Sequence, residues 1–135
     1  MNWTRFLLAV AASGVAGMFT DWLFMGVVFH KKYGETPEIW RIRPGQPDAG
    51  YIAASTLLGV FSCAALIFLC IWAGALGSLS GALRVAGLAW LAAPLPVVAS
   101  NVVWTKMHPL LGVSHSLGWL ARFAVTAAIA AWLMG

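Results

Sequence analysis

The chain has 135 residues, of which 61% are hydrophobic and only 9% charged, against roughly 45–50% and about 25% in ordinary soluble domains. That composition excludes a water-soluble globular domain. Lys and Arg number 8 and Asp and Glu 4, for a formal charge of +4, but the basic residues lie in short connectors and build no surface of the size nucleic acid requires.

A helix needs about 20 apolar residues to cross about 30 Å of hydrocarbon, and four charge-poor stretches reach that length. The expected spans are residues 6–29, 51–73, 85–105 and 111–134. They predict an all-α fold, a polytopic membrane four-helix bundle occupying residues 1–135 as one transmembrane domain. Eight Trp and seven Phe suit a chain that lives in lipid and at its interfaces.

The first span is broken only by Asp21. Arg5 followed by the run Phe6 to Ala11 has the look of a signal peptide, yet the apolar run continues three turns further, as an anchored span does. Ser13, Gly17, Asp21 and Met25 recur every four residues and share one helical face. Asp21 therefore closes a stripe of small residues along which another helix can approach.

Residues 30–50 form the one sizeable polar connector, HKKYGETPEIWRIRPGQPDAG. Pro37, Pro44 and Pro47 forbid a long helix there. A single turn is expected with Thr36 as N-cap and Pro37 in its first position. Trp40 beside Arg41 and Arg43 suggests an anchor on anionic headgroups, and the segment as a whole a membrane-hugging loop rather than a substrate lid.

The second span carries no charge, and Ser55, Gly59 and Cys63 make a small-residue track on it. Cys63 and Cys70 stand seven residues apart, about 10.5 Å along a helix. They cannot bridge each other and are expected to pack inertly. In the third span Pro94 and Pro96 predict a kink near its middle, while Asn101, Thr105 and His108, spaced by four and three, share a face. The fourth span repeats the pattern of the first with Ser114, Gly118, Arg122 and Thr126, and His115 lies nearly on the same side.

Lys31, Lys32, Arg41, Arg43 and Lys106 fall on one side of the expected topology, Arg5 and Arg84 on the other. The positive-inside tendency then puts the first and third connectors in the cytoplasm and both termini outside or in the periplasm. Counted from the connector side at 1.5 Å per residue, Asp21 and Arg122 both lie about 13 Å deep. An unpaired Arg at midspan costs roughly 2.5–3.5 kcal/mol even on the lenient insertion scale, so the two are expected to pair. Asn101 is expected to add its amide to them.

Asp21, Asn101, His115 and Arg122 thus form the candidate substrate or ion site, with His30 and His108 as a possible proton relay or mouth. The pattern offers no HxxxH, CxxC or phosphate-binding glycine loop, so neither a metal nor another cofactor is expected and catalysis has no visible apparatus. A short echo, Thr20-Asp21 before His30 and Ser100-Asn101 before His108, hints at a parallel repeat that would make Asp21 and Asn101 equivalent.

The segments GMFTDWLFMGVVFH, PEIWR and MHPLLGVSHSLGW give the chain a pattern that resembles an uncharacterised family of small bacterial four-span integral membrane proteins. The resemblance implies the fold and no activity. The expected location is the bacterial inner membrane, with the lipid bilayer and further copies or a larger membrane complex as partners and no nucleic acid. Two functions stay open: a small transporter or permeation protein using the intramembrane polar site, or an accessory or scaffold subunit in which the same residues only lock helices together.

Overall fold

The computed structural model describes residues 1–41 and 45–135; Arg43 and Pro44, invoked above for the anchor, the orientation and the connector, lie outside the described residues. Helix α1, Trp3–Asp21, starts where Asn2 Oδ1 accepts the Arg5 backbone N–H at 3.1 Å. It runs on as a π-helical segment, Trp22–Val28. A short helix α2, His30–Gly34, follows, then a single 3-10 turn, Pro37–Ile39. That turn begins on Pro37 as expected, but Thr36 does not cap it, because its hydroxyl donates back to the Lys32 carbonyl at 3.3 Å.

Helix α3 spans Ala49–Trp72. Gly74 then adopts a left-handed φ of 63°, a backbone state that glycine enters without steric cost, and turns the chain toward α4, Leu79–Ala92. Ser78 caps α4 through its hydroxyl, which accepts the Gly81 N–H at 3.1 Å. The third span consequently begins six residues before the expected Val85 and carries Arg84 within it, exposed on the helix surface. A charge-free count ends at Arg84, whereas the cap sets the true start.

Helix α5, Pro94–Trp104, continues the third span after a break at Ala93 (φ −131°, ψ −69°). The predicted kink is thus a full interruption placed one residue before Pro94, since proline lacks the amide donor and crowds the preceding residue out of helical geometry. Helix α6, Pro109–Met134, closes the chain. The fold is an all-α bundle, without strands among the described residues, and four of its helical stretches are long and apolar enough to cross a membrane: Trp3–Val28, Ala49–Trp72, Leu79–Trp104 and Pro109–Met134.

α6 is the hub, contacting α1, α3, α4 and α5 along its length. Close approach is built from small residues: a Cβ on Gly14 of α1 would meet Val60 Cγ2 of α3 at 2.9 Å. Two apolar clusters fill the end of the bundle far from α2. One joins Leu66, Cys70, Ala82, Ala86, Phe123 and Ala127, the other Phe6, Ala9, Ile67 and Ala130. Cys63 and Cys70 are free and buried, as packing residues should be. Large apolar side chains cover the outside instead. Trp72, Trp104 and Trp132, each more than 80% exposed, stand at helix ends, where amphipathic indoles settle at a lipid–water boundary. The architecture is that of a multi-pass membrane protein.

Candidate functional site

The small-residue stripes of α1 and α6 face each other across the bundle: Ser13 and Gly17 are buried on one, Ser114, Gly118, Arg122 and Thr126 on the other. Where the stripes run side by side, Arg122 Nη2 forms an ion pair with Asp21 Oδ2 and donates a second bond to the Gly17 carbonyl at 3.3 Å. The guanidinium also lies 5.3 Å from the centroid of the Trp119 ring, a cation–π distance.

Room for the guanidinium comes from two glycines. A Cβ on Gly17 would stand 3.1 Å from Arg122 Nε, and one on Gly59 of α3 would fall on Nη1 and Cζ. The Ser13–Gly17–Asp21 and Ser55–Gly59–Cys63 tracks are therefore seats for one buried cation as much as helix-packing motifs. Arg122 is only 5% exposed. Its partner is not sealed in the same way: the Asp21 side chain keeps 36% of its surface.

That surface opens into a cavity of about 200 Å³ lined by Asp21, Phe24, Met25, Ser55, Leu58, Gly59, Ser114, His115, Gly118, Trp119 and Arg122. Asp21 sits where α1 passes into the π-helical segment. Such segments widen the helix by an extra residue per turn and recur at functional sites. Here the widened backbone presents the Phe24 carbonyl to Ser114, whose hydroxyl donates to it at 3.4 Å.

Two connector residues that the sequence did not place near the site pack onto its lining. The Tyr33 hydroxyl of α2 donates to Ser114 Oγ at 3.2 Å, and its ring meets the His115 ring edge-on at 5.8 Å. Trp40 stacks on Tyr33 at 5.1 Å, and its indole N–H donates to the Tyr33 carbonyl at 3.2 Å. The expected headgroup anchor therefore braces Tyr33 over the site. Burial pushes the Tyr33 phenol up from the ordinary tyrosine value. Outside these contacts, Glu35 bonds Lys32 at 2.5 Å, which holds its carboxyl below the usual range.

The structure brings Asp21, His115 and Arg122 together and separates three other residues from them. Asn101 is exposed on α5, three residues before its end, and does not line the cavity. Near a helix end its amide has no need of a buried partner, so it is not equivalent to Asp21. His108 is the N-cap of α6, its Nδ1 accepting the Leu110 N–H at 3.1 Å, one of the donors that a helix start leaves unpaired. His30 is exposed at the start of α2. Neither histidine lines the cavity. The break at Pro94 likewise opens onto a different, apolar groove lined by Trp90, Leu95 and Val98. Among the described residues no cluster of His, Cys, Asp and Glu is arranged to hold a metal.

Comparison with family models, curated proteins and solved structures found no match to this chain.

Proposed function

We propose that this protein is a small integral membrane transporter or permeation protein whose solute or ion occupies the chamber formed by Asp21, Ser114, His115 and Arg122. One observation carries the reading. The intramembrane ion pair is not sealed in dry protein, because its carboxylate member faces a cavity. Ionisable groups are expensive inside a bilayer, and where they face a cavity they mark solute and ion pathways. Reconstituted protein should carry solute across proteoliposomes, and Asp21→Asn should abolish that flux while folded protein is still recovered. Flux unchanged by Asp21→Asn would remove the site from the pathway.

The second reading, a scaffold or accessory subunit, draws on a different feature. Gly17 and Gly59 fit so closely around Arg122 that the pair also fixes helix register, one attested use of buried polar groups. Under it, Asp21→Asn lowers stability and no flux is found in the wild type.

The bacterial inner membrane, both termini outside the cytoplasm, and assembly into homo-oligomers or a larger complex belong to the same proposal. They are supported by the basic residues of the first and third connectors and by the resemblance to small bacterial four-span proteins. Exposed apolar faces on a bundle with so little interior add to the case for assembly.

A further inference from the structure

Of the two members of an ion pair, the one that a cavity exposes decides which charge a ligand meets. Arg122 also lines the cavity but is the more enclosed member, its side chain 6% exposed against 36% for Asp21. Its Nη2 is taken by Asp21 and the Gly17 carbonyl and its face by Trp119, while Nη1 packs over Gly59. Asp21 uses only Oδ2 for that pair. Its Oδ1 accepts no hydrogen bond among the described residues, and it lies beside Gly118, where even a methyl group would stand 4.0 Å away.

The other polar groups of the lining are the His115 ring and the hydroxyls of Ser55 and Ser114, the latter already accepting from Tyr33 and donating to the Phe24 carbonyl with one acceptor lone pair left. Phe24 and Trp119 add aromatic rings, which attract cations through their negative faces. At about 200 Å³ the chamber lies below the range of roughly 300–1,000 Å³ typical of drug-sized ligands. The chain's net charge of +4 does not oppose this, since exposed charges are screened over about 8–10 Å and Lys32 is already paired with Glu35.

Building on the transport reading, we infer that the ligand is a small organic cation of the primary ammonium class, seated with its N–H donors on Asp21 Oδ1 and the serine hydroxyls. An ammonium group matches this lining because it brings only donors and one positive charge. A small anion would meet the exposed carboxylate first and find little of the guanidinium's surface open to it, 6% against 36% for Asp21.

Calorimetric titration of the full-length protein in lipid nanodiscs, with methylammonium and acetate as probes at matched ionic strength, tests the inference. Saturable methylammonium binding is expected, with acetate binding at least about tenfold weaker, a difference of about 1.4 kcal/mol. The doubly neutral variant Asp21→Asn/Arg122→Gln, which leaves no lone buried charge, should lose the methylammonium signal while keeping its helical circular dichroism. Acetate binding in preference to methylammonium, no saturable binding of either probe, or binding retained in the double variant overturns the inference. Failure of the transport reading looks different: methylammonium then binds but does not cross proteoliposome membranes. Acetate flux without methylammonium binding would overturn the ligand class and leave transport standing.

Discussion

Neutralising Asp21 alone puts a number on the intramembrane pair. In Asp21→Asn the guanidinium of Arg122 keeps its bond to the Gly17 carbonyl and its contact with Trp119 but loses its countercharge. Breaking a fully buried pair from one side costs about 3–5 kcal/mol, and an unpaired Arg at midspan roughly 2.5–3.5 kcal/mol on the lenient insertion scale. Asp21 keeps about a third of its surface open to the cavity, so water there recovers part of the loss and a cost of about 2–3 kcal/mol is expected. Arg122→Gln in the same chain removes the orphaned charge and lets two amides meet, so the double variant should return to within about 1 kcal/mol of wild type. Unfolding in mixed micelles by a denaturing detergent, followed by circular dichroism, measures all three. An Asp21→Asn variant within about 0.5 kcal/mol of wild type, or a double variant no better than the single, would refute the argument that this pair satisfies a buried charge.

The glycine seat predicts that Gly59→Ala costs about 1–3 kcal/mol in the same assay, because the new methyl falls on a guanidinium already held by Asp21, the Gly17 carbonyl and Trp119. Combination with Arg122→Gln should cost less than the sum of the singles. Cysteine substitutions along the first span, made in a chain lacking Cys63 and Cys70, should react with a water-soluble maleimide at positions 21 and 25, which line the cavity, and stay protected at the buried positions 13 and 17. The Tyr33 phenol should ionise above the ordinary value of about 10 in a 295 nm titration, a step absent from Tyr33→Phe. Because burial raises its folded value, the stabilising contribution of the neutral phenol is fully present at neutral pH and is lost as pH rises through that raised value. Pro94→Ala should leave methylammonium binding unchanged, since the break at Ala93 opens onto the apolar groove rather than the chamber.

The Asp21–Arg122 pair was legible in the sequence because hydrocarbon removes the alternatives. Each is a lone charge in a long apolar run, their depths match, and the residue four positions before each, Gly17 or Gly118, is a glycine. Asn101 was misplaced for a reason in the backbone. A helical face persists only while the helix does, and α5 ends at Trp104, so the face that Asn101 was expected to share with Thr105 and His108 does not continue. Tyr33, and the stacking of Trp40 on it rather than on headgroups, escaped notice because a Gly- and Pro-rich connector has no periodicity to read. Only the tertiary contact of Tyr33 with Ser114, 81 residues along the chain, shows that it folds back over the site. The π-helical register after Asp21 has no sequence signature at all, since WLFMGVV would serve an α-helix equally well.

The cavity also bears on how a solute could pass. Beyond Arg122 the bundle closes: the Thr126 hydroxyl donates to Cys63 Sγ at 3.4 Å, and Ala9, Ile67, Ala127 and Ala130 are fully buried below it. Ser13 offers the one buried side-chain oxygen without a partner among the described residues. A single hydroxyl cannot replace the hydration of a cation, so no continuous polar path leads from the chamber to the far side. Passage then requires the bundle to repack around the ion pair, and packed interfaces switch between discrete arrangements rather than deform smoothly. Methylammonium flux in proteoliposomes should therefore saturate with concentration and show no unitary conductance steps in planar bilayers. Discrete single-channel currents would mean that an open pore exists through the layer below Arg122, and would refute the closed arrangement as the basis of transport.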